Sequence, residues 1–200
     1  PVTVNTIVNT GNITAGGNTI NIGFGSTLGL LSNAGTIYTT SSNSIYNQGS
    51  INSINNAGTI QSNNRAIHNR DTISSLTNTN LITAAYFTIY NVGTLGTITN
   101  SGTISASLGF AISNVYGNIE SIINTSTGEI NSASDTIVNG SGRFITSLIN
   151  QGDIDASADA AILNNGTIST INNSGNIYAT EGIGIENDGG SATITNLTNS

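Results

Sequence analysis

The stretch Thr97–Asn114, TITNSGTISASLGFAISN, decides how the chain folds. Ile98, Asn100, Gly102 and Ile104 share one parity, and so do Ile112 and Asn114. A strand alternates its side chains between two faces. The pattern therefore sets asparagine and glycine on the same side as isoleucine, where a buried face ordinarily takes apolar side chains.

The motif apolar-x-Asn-x-Gly-x-apolar recurs around Asn9, Asn33, Asn56, Asn78, Asn100, Asn124, Asn150 and Asn173, and a further unit opens at Leu197-Asn199. Asn80 replaces the glycine after Asn78, and an insertion follows Asn124. A second copy lies between these units. Asn47, Asn69, Asn91 and Asn164 mark its clear cases; Asn114, Asn139 and Asn187 begin it and then drift or carry insertions. Successive first asparagines stand 22 to 26 residues apart. A period of two inside each motif predicts strands, and a strand-rich, glycine-punctuated unit of this length predicts one coil of a stack. The expected fold is all-β: a single-stranded parallel β-helix (β-solenoid) of about eight coils of 22–26 residues, with residues 1–200 as one continuous repeat domain. At about 4.8 Å per coil the rod would be roughly 40 Å long.

In such a stack the same-side asparagine and glycine are corner residues. Asparagine tolerates the left-handed backbone region, and its amide can bond along a column of identical amides. The expected asparagine ladder is Asn9, Asn33, Asn56, Asn78, Asn100, Asn124, Asn150 and Asn173. It would satisfy polar groups that a buried turn leaves open. Glycine two residues later removes the side chain where the backbone bends inward.

Composition narrows the function. There is no lysine, the basic residues are Arg65, Arg70 and Arg143, and the net charge is -7. Phosphate binding needs clustered Lys and Arg, so neither nucleic acid nor an anionic membrane surface is an expected partner. No apolar run approaches the ~20 residues of a membrane span, so direct membrane insertion of this segment is not expected. Cysteine is absent, which removes disulfides and thiolate metal sites. The start at Pro1, with no charged leader and apolar run behind it, fits a mature form or an excised fragment.

No residue set announces a chemistry. His68 is the only histidine; it follows an inward Ile67 and is expected to point to solvent. The densest acidic stretch, Asp153-Ile154-Asp155-Ala156-Ser157-Ala158-Asp159, reads as a solvated face, since calcium needs six to eight oxygens. Glu120 with Asp153, or Asp135 with Asp159, could be tried as a glycosidase pair, but coil alignment offers no cleft. The expectation is no enzyme, no metal and no cofactor. Threonine columns (Thr36, Thr59, Thr103) evoke ice binding, yet Leu81, Glu129 and Asp153 interrupt them. One outward column stands apart: Tyr46, His68 and Tyr90 occupy the position between Ile and Asn in successive coils. It is a candidate outer-face binding column, because exposed aromatic rows stack on sugars or pack on a protein partner. An ordinary ladder that stabilises coil stacking is the simpler account.

The tandem N-x-G-x-I units resemble the passenger domains of bacterial autotransporter adhesins and related haemagglutinin-like surface proteins, over nearly the whole chain. The resemblance implies a right-handed β-helix, the hand that crossover geometry also prefers. It further implies export through a C-terminal outer-membrane β-barrel, a place on a Gram-negative cell surface, and attachment to a host-cell or neighbouring-cell surface protein or glycan. The barrel, its linker helix and the signal peptide of that family lie outside this sequence, so a passenger segment is the expected identity. The rival expectation is self-association as an extracellular filament subunit. The repeat stops at Leu197–Ser200 without a polar cap, and free strand edges invite end-to-end pairing. A carbohydrate-active β-helix enzyme is the third.

Overall fold

The computed structural model describes residues 1–200 and consists of twenty-five strands with no helix. Each coil contributes one strand to each of three sheets. Coil 1 runs β1 (Thr3–Asn9), β2 (Asn12–Ala15) and β3 (Ile20–Ile22). The same order repeats through eight complete coils, and β25 (Thr193–Asn199) opens a ninth. Sheet A holds nine strands and sheets B and C eight each, every strand pairing in parallel with its counterpart in the adjacent coils. The chain is therefore a β-solenoid, as the repeat predicts.

Sequence explains the three sides. Inward isoleucine and leucine occupy four columns, of which Leu76 and Ile73 in sheet A, Ile82 in sheet B and Ile89 in sheet C are one layer, each fully buried. Register keeps like on like: Ile60, Ile82 and Ile104 stack directly, as do Ile67, Ile89 and Ile112. The buried cluster counts 33 residues, so the core is a set of stacked aliphatic columns and not a converging globule. Burying each such side chain stabilises the fold by about 1.5–3 kcal/mol.

Both asparagine corners form ladders. In the first, Asn9 Nδ2 donates to Asn33 Oδ1 at 2.8 Å, Asn33 to Asn56 at 2.8 Å, and so on through Asn78, Asn100, Asn124, Asn150 and Asn173 to Asn199 at 2.7 Å. The second runs Asn47, Asn69, Asn91, Asn114, Asn139, Asn164 and Asn187 with bonds of 2.7–2.9 Å. The asparagines do this without left-handed backbone: no non-glycine residue has positive φ. That part of the expectation is corrected. The corners are turned by a change of strand direction, and the amide serves as a buried hydrogen-bonding group. The motif glycines also keep negative φ; only Gly25, Gly142 and Gly189, in longer corner loops, have φ of 69° to 103°. At Gly35 the reason for glycine is crowding: an added Cβ would run into the carbonyl oxygen of Gly11 in the coil before.

The third corner, between sheets B and C, forms no continuous asparagine ladder: Asn43 Nδ2 donates to Asn18 Oδ1 at 2.8 Å in the first two coils, and the column goes no further. Small residues stack there instead, Ser62 on Ala84 on Ala106 on Ser132. Opposite them, buried hydroxyls cross to sheet B: Thr88 Oγ1 donates to the Ser105 carbonyl at 2.5 Å and Thr136 Oγ1 to that of Asp155 at 2.6 Å.

Candidate functional site

Sheet C positions the candidate site. Its strands in coils 2 to 5 are Asn43–Asn47, Arg65–Asn69, Phe87–Asn91 and Phe110–Asn114. In each, a buried isoleucine and a buried asparagine flank one outward residue. That residue is Tyr46, His68, Tyr90 and then Ser113, held in one column by the ladder register.

The three rings meet. Tyr46 and His68 centroids lie 5.0 Å apart with planes tilted by 59°, and His68 and Tyr90 lie 5.0 Å apart in an edge-on arrangement at 73°. A second outward column adds Arg65, Phe87 and Phe110, which stand three residues before His68, Tyr90 and Ser113. Phe87 packs on Tyr90 at 5.3 Å and on Phe110 at 5.6 Å. The Arg65 guanidinium sits 4.8 Å from the Tyr90 ring centroid and 5.4 Å from that of Phe87. Each such contact is worth about 0.5–1 kcal/mol at an exposed site. Arg70, just past the strand, donates from Nη1 to the Tyr46 hydroxyl at 3.0 Å. Arg65 Nε is buried and has no hydrogen-bond partner.

His68 is half-buried between the two tyrosines, not freely solvated as its outward position suggests. Burial, then the charges of Arg65 and Arg70, lower its pKa from 6.5 to about 4. The imidazole is neutral at neutral pH, and the positive charge of the patch belongs to the two arginines. No carboxylate is among the groups that shift His68 or Arg70. The result is an aromatic and cationic face on a chain of net charge -7. Such a face can bind an anionic, ring-bearing or planar partner through π contacts and guanidinium donors.

The sequence column Tyr46, His68 and Tyr90 is thus brought together. Arg65, Arg70, Phe87 and Phe110 were not singled out by the sequence reading. The signal for three of them lies in the repeat: aligned on the second asparagine column, Arg65, Phe87 and Phe110 occupy one position.

Asp71 follows Arg70 at the edge of the patch; the carboxylates considered as catalytic pairs fall elsewhere. Glu120 belongs to sheet A and Asp153 to sheet B, so that pair does not face one substrate. Asp135 and Asp159 are neighbours in successive coils: the Ala160 N–H donates to Asp135 at 2.9 Å, and the Ser134 hydroxyl donates to Asp159 at 2.7 Å. Burial raises the Asp135 pKa, opposed by the Ala160 N–H bond and assisted by Asp159. They line an open hollow of about 530 Å³ with Glu181, Glu186 and Asp188, at the far end of sheet C. A second hollow, about 690 Å³, lies along sheet B beside Glu129, Asp153, Asp155 and Tyr178. Neither gathers three ligating side chains around one point. In comparisons with known proteins, no family model, no curated protein and no solved structure matches the chain.

Proposed function

We propose that this chain is a segment of a bacterial surface adhesin of the autotransporter-passenger type, a stiff rod that attaches through the sheet C face. The supporting observation is the patch of Tyr46, His68, Tyr90, Phe87, Arg65 and Arg70, in which two of the three arginines of the chain meet its aromatic rows. Tyrosine and arginine are the residue types that carry binding energy at interfaces. The repeated coils set the spacing of these groups without a loop having to order on binding. The partner in this reading is a protein or glycan on a host or neighbouring cell, and the segment works outside the cell by binding, not turnover.

The test is adhesion of the purified rod to cells. Arg65→Ala with Tyr90→Ala is expected to lower apparent affinity by about tenfold or more, equivalent to about 1.4 kcal/mol. Circular dichroism should be unchanged, and Thr103→Ala on sheet B should have no effect. Equal adhesion by all three proteins would remove sheet C as the adhesive face.

A further inference from the structure

Sheet C has two ends of opposite charge. Number the coils by their sheet A strands: coil 3 then ends in Arg65–Asn69 and coil 8 in Ile185–Asn187. Ladder register carries the His68 column along the face to Glu186. It also places Arg70 and Asp188 at the same corner, each immediately past a ladder asparagine, Asn69 and Asn187. Coils 6 to 8 add Asp135, Asp159 and Glu181. Between the two ends the column is Ser113, Val138 and Leu163, which carry no charge; Ser113 is 0 % and Val138 5 % exposed, so these two lie beneath the surface at the centre of the face.

We propose that the partner of this face is a second copy of the chain, docked in antiparallel order on sheet C; the proposal rests on reading sheet C as the adhesive face. A two-fold axis lying along the strand direction, between coils 5 and 6, leaves every column over itself and reverses the coil order. Coil 3 of one copy then faces coil 8 of the other. Arg70 meets Asp188 and His68 meets Glu186, and by symmetry the same contacts form again at the other end. Tyr90 falls opposite Leu163, while Ser113 and Val138, both buried, make no contact across the axis. Arg143, in the corner loop of coil 6, faces the uncharged corner of coil 5 at Val115. Asp71, next to Arg70, is engaged by the Thr72 hydroxyl, which donates to it at 3.2 Å.

Charge selects this arrangement. An axis along the rod would instead put coil 3 over coil 3 and coil 8 over coil 8, setting arginine against arginine and carboxylates against carboxylates. Juxtaposed like charges disfavour that mode. The other faces offer no such match: the charged residues that open the sheet B strands, Glu129 and Asp153, are of one sign.

The experiment is sedimentation equilibrium of the 200-residue chain at low and high salt. A dimer is expected at low salt, weakened at high salt by screening. Arg70→Asp and Asp188→Arg should each raise the dimer dissociation constant by about tenfold, and the double variant Arg70→Asp/Asp188→Arg should restore it, because the swapped charges meet again. Both positions are exposed, so circular dichroism should show all variants folded. A chain that is monomeric at both salts overturns the proposal. So does an association indifferent to these substitutions, which would place contact at the coil ends. If the wild type is monomeric yet its cell adhesion is lost in Arg65→Ala/Tyr90→Ala, the adhesive face stands and only this partner is wrong. If adhesion is indifferent as well, both fall.

Discussion

His68 shows what stacking does to a single side chain. The coil repeat places a tyrosine on either side of it at 5.0 Å and two arginines nearby, so protonation is disfavoured and its pKa is about 4. The unfolded chain regains a value near 6.5. Between those values the unfolded state binds a proton that the folded state does not. The stability this residue contributes is therefore fully present above about pH 6.5, falls as the pH drops toward 4, and levels off below that. NMR titration should find no imidazole midpoint near 6.5. The stability difference between wild type and His68→Phe should change in that window, since the variant lacks the titrating group. A midpoint near 6.5 would mean the ring is freely solvated and the sandwich absent.

At the level of the strand, two adjacent asparagines have opposite fates. Asn55 is exposed, whereas Asn56 is 2 % exposed and donates to Asn78 Oδ1 at 2.8 Å and to the carbonyls of Gly58 and Leu81 at 3.0 Å, while accepting from Asn33. Asn56→Ala leaves several buried groups without partners, at about 1–3 kcal/mol each. Urea denaturation should therefore show a loss of about 3 kcal/mol or more, against less than about 0.5 kcal/mol for Asn55→Ala. Similar losses for both would mean that the ladder contributes nothing. The same alternation made this element readable in sequence, because asparagine at a fixed interval from isoleucine is conspicuous. The sheet B to sheet C corner was not readable. Ser62, Ala84 and Ala106 share only smallness, which leaves no pattern in a chain rich in such residues. In sheet A, Ile73 and Leu76 are three apart, with Ser74 and Ser75 both directed away from the core, so the period of two breaks inside a strand. The patch was half readable. Its tyrosines sit next to the motif, while Arg65 and Phe87 are recognised only after the coils are set in register.

Across the whole rod, each coil touches only its neighbours, so stability is carried by nearest-neighbour stacking. Ile104 lies fully buried in the middle of the stack, and Ile177 is half-buried near one end. Ile104→Asp places a charge in the aliphatic columns and should abolish the cooperative melting transition or lower it steeply, by about 4 kcal/mol or more, with Ile177→Asp the milder change. A melting transition unmoved by Ile104→Asp would overturn the inward assignment of that column. The ladders have one more consequence, in the electrical polarity of the rod. At the asparagine corners the backbone N–H groups of each coil point back to the preceding one: Ala57 and Gly58 both donate to the Asn33 carbonyl, at 2.7 and 3.0 Å. Summed over many coils, aligned peptide dipoles would leave partial charge at the two tips, as they do in a helix. The amide of Asn33 donates the other way, forward to Asn56, and every rung of both ladders shares that sense. Side-chain dipoles therefore run against backbone dipoles at the same corners, so that adding coils lengthens the rod while building less charge at its ends.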